Sequence, residues 1–380
     1  MNNTESALLA LLKTALFGAP SELPEDLDWA ALLAEAKAQT VVPLVFSALP
    51  KEQAAAWLSD ASQAKAHFMR ALYEQTKLVS LFEKEGIPFV ILKGCAAAIY
   101  YPTPSARTMG DVDILVGKGS FDRAFALLKE NGYKYNTDYG DGRDYSFLSG
   151  GVVFELHKRY SDERNDIEEI LQNGIEKAET ATLYGNAFPM LPKAVNGLVL
   201  LDHIRHHLYG GLGIRQIIDF MLFVHSIPEE GEFAASYLPL FESCGLGRLA
   251  RVVTKMCKTD FGLPTPCAWC DDADDATAKE LLETLLAGGN FGRKDPYEYK
   301  PMRELSIGIK QNGFFRTLQK AGVANCKAFQ KHKIVRPFAW IYQLFRHAVK
   351  GIASLFRGEK LRKEADEGKE KADFYRRLGI

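Results

Sequence analysis

Two aspartates spaced two residues apart carry the strongest chemical signal in this sequence. They stand in Arg107-Thr-Met-Gly110-Asp111-Val112-Asp113-Ile114-Leu115-Val116. The alternation of Val112, Ile114 and Val116 with the acids predicts a strand, whose period of two puts both carboxylates on one face. Two carboxylates about 6 Å apart repel by about 3 kcal/mol at an effective dielectric near 20. Folding gains nothing from that repulsion, whereas a divalent cation held between them removes it. Metal-assisted phosphoryl transfer uses such a pair, with Mg²⁺ bridging carboxylates and a triphosphate. Glu155, in Val152-Val153-Phe154-Glu155-Leu156-His157, lies opposite an apolar strand face. If its strand neighbours that of the aspartates, Glu155 joins the cluster as a metal ligand or as the general base. Asp111, Asp113 and Glu155 are therefore the candidate catalytic and metal-ligating residues.

A second feature lies upstream. Phe89-Val-Ile-Leu92-Lys93-Gly94-Cys95 reads as a buried strand turning into a helix. A glycine at such a turn lets the backbone approach a phosphate, and the helix start supplies free N–H groups. Lys93 and Arg107 would add positive charge for a triphosphate. With Cys95 and Gly110 they complete the candidate nucleotide-binding set: Lys93, Gly94, Cys95, Arg107 and Gly110. Two plainer roles stay open here, a snorkelling Lys93 and an Arg107 paired structurally with Asp111 or Glu155.

Other constellations carry less. His203 and His207 sit one helical turn apart, a spacing able to share a metal, but no His-Glu-x-x-His pattern accompanies them. Packing and hydrogen bonding are the expectation there. Cys267-Ala-Trp-Cys270 has no second pair and reads as a loop. Asp138-Tyr-Gly-Asp141-Gly-Arg-Asp144 lacks calcium-loop spacing and reads as a hairpin turn. Neither a nucleophile elbow nor a Walker-type phosphate loop is present.

The elements that must position these residues follow from periodicity. Residues 1–85 read as helical, with Trp57, Ala61, Ala64, Phe68 and Leu72 on one stripe of a long segment. Residues 86–165 read as β-α-β-α-β-β, the candidate core. Residues 166–310 read as helical again, with Val195–Tyr209, Arg215–His225 and Ala276–Leu286 the clearest segments. Residues 311–380 read as a basic helical tail. The expected fold class is α+β, a small mixed sheet flanked by N- and C-terminal helical regions.

The order strand–Gly–helix, then Gly-Asp-x-Asp on the next strand, then a lone acid on a later strand, resembles the DNA polymerase β-like nucleotidyltransferase superfamily. Within it, the chain is most similar to a bacterial branch of uncharacterised nucleotidyltransferases. The resemblance rests on Leu92-Lys93-Gly94, Tyr101-Pro102, Arg107…Gly110-Asp111-Val112-Asp113-Ile114-Leu115-Val116 and Glu155-Leu156-His157. It extends over about residues 5–225 through Trp29, Leu32, Pro43-Leu44, His206, Arg215 and Asp219, the last group bearing on the cleft. Cys95 stands where the superfamily has the second residue of a Gly-Ser pair, and Glu155 where it usually has Asp. The resemblance implies transfer of a nucleoside monophosphate from an NTP to an acceptor, a small molecule, protein or RNA. It implies two Mg²⁺ ions, or Mn²⁺ in their place. Two other readings stay open: a non-catalytic binding or regulatory module, and a toxin-type enzyme that modifies tRNA or protein.

Composition sets the frame. The 380 residues are 47% apolar and 25% charged, enough to fill a core and too much for global disorder. No apolar run approaches the roughly 20 residues of a membrane-spanning helix, and the N-terminal apolar stretch lacks a basic start. With six cysteines and no secretion signal, reduced thiols in the cytoplasm are expected. The net charge of −1 conceals a polarity: residues 311–358 carry nine basic side chains and no Asp or Glu, leaving −10 elsewhere. After Pro337, the residues Phe338, Ile341, Phe345, Ala348, Ile352 and Leu355 follow helical spacing. Helix 337–357 is thus expected to be basic and amphipathic, suited to an anionic partner or to the surface of a membrane at which the protein would be peripheral.

Overall fold

Helices open the chain. α1 (Asn3–Phe17) starts in a capping box, with Asn2 Oδ1 accepting from the Glu5 N–H and Glu5 Oε2 accepting from the Asn2 N–H. α2 (Trp29–Ala38) is capped by Asp28, and α3 (Val42–Phe46) leads into α4 (Lys51–Lys84), which runs 34 residues without Gly or Pro. α4 buries Trp57, Ala61, Phe68, Leu72 and Phe82 on the stripe that its spacing marks. The computed structural model describes all residues except 137–143, 162–163, 295–306, 311–312, 327, 330–333 and 353–357. By contacts it divides into two units, Met1–Pro296 and Tyr297–Ile380.

The first unit holds the sheet. β1 (Phe89–Leu92), α5 (Gly94–Ala98), β2 (Val112–Val116), α6 (Phe121–Glu130), β3 (Lys134–Tyr135), β4 (Asp144–Ser149) and β5 (Val152–His157) follow in order. They make a five-stranded mixed sheet, β1-β2-β5-β4-β3. β2 pairs antiparallel with β1 and parallel with β5, and the other pairs are antiparallel. The parallel β2–β5 pair sets Asp113 directly beside Glu155. Val112, Ile114 and Val116 with Val152, Phe154 and Leu156 face a core shared with Phe68, Leu72 and Phe82 of α4. The opposite face carries the acids. Asp111 precedes the first β2 residue rather than lying within the strand, and α5 starts at Gly94 and ends at Ala98.

Past the sheet, α7 (Asn165–Ile175) precedes a two-stranded ladder, β6 (Glu179–Leu183) with β7 (Asn186–Met190). This ladder corrects the expectation of uninterrupted helix after residue 166. Tyr184 and Gly185 form a two-residue turn with φ of 48° and 79°, the conformation that matches a hairpin's twist. α8 (Lys193–Gly210) and α9 (Ile214–His225) then form the helical wall. Asn196 on α8 donates to the Ala96 carbonyl of α5 and to Tyr100 Oη, tying that wall to the turn after β1. Helices Gly247–Asp260 and Asp275–Gly288 follow.

In the second unit, helices Phe314–Asn325 and Ala339–Ile352 pack on each other, and a helix spans Gly358–Leu378. None of the described helices is long and apolar enough to cross a membrane. Cys267 precedes, and Cys270 ends, a single 3₁₀ turn, and neither is in a disulfide. Asp138 and Asp141 lie outside the described residues.

Candidate active site

The site grows from the register of three strands. β1 ends at Leu92, which stands opposite Asp113, and Asp113 stands beside Glu155 on the next strand. The chain turns at once after Leu92: Lys93 takes φ 44°, in a region costly for a side chain other than glycine. That turn brings Lys93 Nζ to 2.8 Å from Asp113 Oδ1. His157, two residues beyond Glu155 and so on the same face, places Nε2 2.9 Å from the same oxygen and 3.8 Å from Glu155 Oε2. One ligand atom from each of Asp113, Glu155 and His157 lies within 4.8 Å of the others.

These groups line a cavity of about 280 Å³ together with Gly94, Gly110, Asp111 and Asp144 on the sheet side. His203, His206, His207 and Arg215 line it from the helical wall. Of the residues proposed from sequence, only Cys95 is outside: it is fully buried in the apolar core. Burial pushes its thiol up to about 12, against the lowering pull of Arg107. A Cβ on Gly94 would sit 3.2 Å from Met109 Cε, so the turn leaves little room for a side chain.

The electrostatics are uneven. Burial works to raise the Asp113 pKa, but the Lys93 charge and the His157 hydrogen bond overcome it and hold the carboxyl well below the usual range. Burial works to lower the Lys93 pKa, and Asp113, Asp111 and Glu155 overcome it. For Glu155 the lowering pull of Lys93 is not enough. Burial, then the charges of Asp113 and Asp111, push its carboxyl up to about 8. The sheet wall thus holds one neutralised carboxylate and one whose ionisation the fold opposes. The carboxylate oxygens of Asp111, Asp113 and Glu155 are donors suited to Mg²⁺ or Mn²⁺, whereas the His157 nitrogen suits a softer transition-metal ion. The His157 Nδ1 atom is buried without a hydrogen-bond partner.

Arg107 lines the cavity as well, but its guanidinium is committed to a carboxylate. Its Nε and Nη2 donate to both oxygens of Asp219 at 2.8 and 2.7 Å, and Tyr101 Oη donates to Asp219 at 2.8 Å. This bidentate pair is almost wholly buried, with side chains 2% and 1% exposed. The structural pairing left open for Arg107 therefore exists, with Asp219 of α9 in place of Asp111 or Glu155. Arg215, one turn earlier on α9, also reaches the cavity. Its Nη1 donates to the Thr108 carbonyl at 2.9 Å, and its buried Nε has no partner. Burial, then the neighbouring Arg107 charge, lower its pKa.

His203 and His207 meet through their Nε2 atoms at 2.8 Å, a hydrogen bond that requires one donor and one acceptor. Burial pushes His203 well below its usual range and His207 down to about 3, so both are neutral at neutral pH. Sequence reasoning assigned no role to His157 or Asp144. For His157 a signal existed: spacing i, i+2 from Glu155 places both on one strand face. Asp144 reads locally as a turn residue, and only its pairing opposite His157 brings it to the site.

A mixed sheet with an acid near the start of β2, a second on the adjacent parallel strand and a strand–glycine–helix turn beside them defines a nucleotidyltransferase-like core. Residues 25–262 match the family described as uncharacterised nucleotidyltransferase, and the chain belongs to that family. Among solved structures it is similar to the antibiotic-resistance factor ANT(2'')-Ia, at 13% identity and a TM-score of 0.32, over 46% of this chain and 96% of that one. It is also similar to an antigenic nucleotidyltransferase-like protein from Paracoccidioides brasiliensis, at 17% identity and a TM-score of 0.36, over 52% and 94% of the two chains. No curated protein matches the sequence.

Proposed function

We propose that the protein transfers a nucleoside monophosphate from an NTP to an acceptor hydroxyl or similar group, releasing pyrophosphate. The observation that carries this reading is the cluster of Asp113, Glu155 and His157 within 4.8 Å, in a cavity that Asp111 and Gly94 also line. Asp111, Asp113 and Glu155 would hold the divalent cations, Mg²⁺ or Mn²⁺, which supply charge neutralisation for the triphosphate when bound. Lys93 sits where a cation would sit beside Asp113, and an incoming nucleotide gives its ammonium a second anion to hold. Gly94 keeps the turn open to the β- and γ-phosphates. Arg215 takes the charge-supporting role first expected of Arg107, because its guanidinium is not spent on a carboxylate partner as that of Arg107 is. In the transfer, the acceptor oxygen bonds to the α-phosphorus as the bond to the bridging oxygen breaks. Pyrophosphate leaves, and the acceptor proton passes to Glu155 or to solvent. The acceptor is a small molecule, a protein or RNA.

The test is calorimetry with a panel of NTPs and Mg²⁺, on the natural chain and on the double variant Asp111→Asn/Asp113→Asn. The proposal expects cation-dependent heat from the natural chain and none from the variant. Unchanged nucleotide binding and turnover in the variant would overturn it. So would a natural chain that gives no heat with any NTP, the behaviour of a non-catalytic module.

A further inference from the structure

The second unit contains an amphipathic helix whose apolar side is not buried within that unit. Helix Ala339–Ile352 packs on helix Phe314–Asn325 through its small and polar side. Ala339 is fully buried and Gln343 nearly so, with the Asn325 side chain donating to Gln343 Oε1. The backbones meet closely: a Cβ on Gly322 would overlap the Ala339 carbonyl oxygen. The apolar stripe, on the opposite side of the helix, points outward. Phe338 is 59% exposed, Ile341 47% and Phe345 71%. Phe315 and Ile334 add to the apolar surface of this unit at 64% and 88%. Isolated exposed apolar residues are ordinary, but a row at helical spacing on one surface marks a binding face.

The charge around this stripe selects its occupant. Arg316, Lys320 and Arg336 of the same unit are exposed, and residues 311–358 contain no Asp or Glu. A second copy of this surface would bring like charges together. Single-stranded RNA would use aromatic rings for stacking and has no use for an aliphatic surface of Ile334 and Ile341. A bilayer of anionic lipid satisfies both features at once: the acyl boundary accepts Phe338, Ile341 and Phe345 while the headgroups meet the cations. We propose that this helix pair docks the protein on an anionic membrane surface, lying in the interface without crossing it. The proposal is independent of the nucleotidyltransferase reading.

Flotation of the full chain with vesicles tests it. One set is pure phosphatidylcholine, and the other contains about one part in three phosphatidylglycerol, an anionic surface of the kind that attracts basic segments. The expected result is flotation with the anionic vesicles alone, reduced by high salt. Phe338→Ser/Ile341→Ser/Phe345→Ser should lower the bound fraction at least tenfold, with circular dichroism unchanged because the three side chains are exposed. Arg316→Gln/Lys320→Gln/Arg336→Gln should lower it as well. Absence of flotation by the natural chain would overturn the proposal, as would undiminished flotation of both variants. Retention of RNA in place of vesicles would also overturn it, as would a dimer in solution that the apolar variant breaks.

Discussion

Two buried charge clusters lie close together in the first unit, and they are built on opposite principles. Arg107, Asp219 and Tyr101 form a closed cluster: the guanidinium meets both carboxylate oxygens, and a phenol donates to the same carboxylate. Lys93, Asp113, His157 and Glu155 form an open one. A single oxygen of Asp113 takes both the ammonium and the imidazole, while Glu155 is left with a carboxyl pushed up to about 8. The closed cluster fastens the loop before β2 to α9 and so holds the head of the acid strand in place. The open cluster stores an electrostatic cost that Lys93 relieves only in part and that a bound cation would relieve further. The contrast separates architecture from the proposed chemistry: satisfied buried charges position the candidate site, and unsatisfied ones compose it.

The largest effect expected from this contrast is on stability, at the closed cluster. Arg107→Ala leaves Asp219 buried without its counter-ion, which should cost about 3–5 kcal/mol. Urea denaturation measures it, and Arg107→Met/Asp219→Leu should recover most of the loss because no charge is then stranded. A loss under about 1 kcal/mol for Arg107→Ala would break the comparison. At the open cluster, Asp113→Asn should act on ligation. Mn²⁺ at about 100 times its dissociation constant should stabilise the natural chain by about 2.7 kcal/mol, and that gain should vanish in the variant. An equal Mn²⁺-dependent rise in melting temperature in both proteins would show that the cluster does not ligate the ion.

Arg215 lies between the two clusters and tests where the boundary falls. Its hydrogen bond to the Thr108 carbonyl belongs to the architecture, while its side chain lines the cavity and has no carboxylate partner. Arg215→Gln should weaken NTP binding about tenfold or more, since a charge-assisted hydrogen bond contributes about 1.5–3 kcal/mol. Titration of a fluorescent NTP analogue reads this. Binding unchanged in the variant would place Arg215 with the closed cluster instead.

The sequence makes the open cluster legible except for His157, and the closed one less so. Asp111, Asp113 and Glu155 announce themselves because strand periodicity alone puts them on polar faces, and Lys93 follows from the strand–turn–helix pattern. The partner of Arg107 is 112 residues away, a distance over which periodicity carries no pairing information. Its guanidinium therefore looked available for phosphate when it was already committed. The reverse holds for Arg215, whose helical spacing is ordinary and whose missing partner exists only in three dimensions. The β6–β7 hairpin escaped because its strands are short and its turn, Tyr184-Gly185, lacks the Asn-Gly or Asp-Gly pair that signals such a turn most strongly.

The most diagnostic effect is a pH dependence, because it reads the stored cost itself. The Glu155 carboxyl is raised to about 8, first by burial and then by Asp113 and Asp111. An unfolded glutamate titrates near about 4.3. Between those values the cation-free folded chain holds a proton that the unfolded chain has lost. This group's contribution therefore makes stability fall as pH rises from about 4.3 to about 8, and it levels off above. A divalent cation needs the ionised carboxylate, so its binding should release a proton below about pH 8, and its affinity should climb with pH up to that point. Glu155→Gln keeps the shape and removes the titration. The variant should therefore lose stability less steeply between about pH 6 and about pH 8 than the natural chain does in urea melts without added metal. Calorimetry of Mn²⁺ binding in buffers of different ionisation enthalpy should show proton release that the variant lacks. Parallel stability curves and identical proton release in the two proteins would mean that the open cluster stores no such cost, and the distinction between the two clusters would fall.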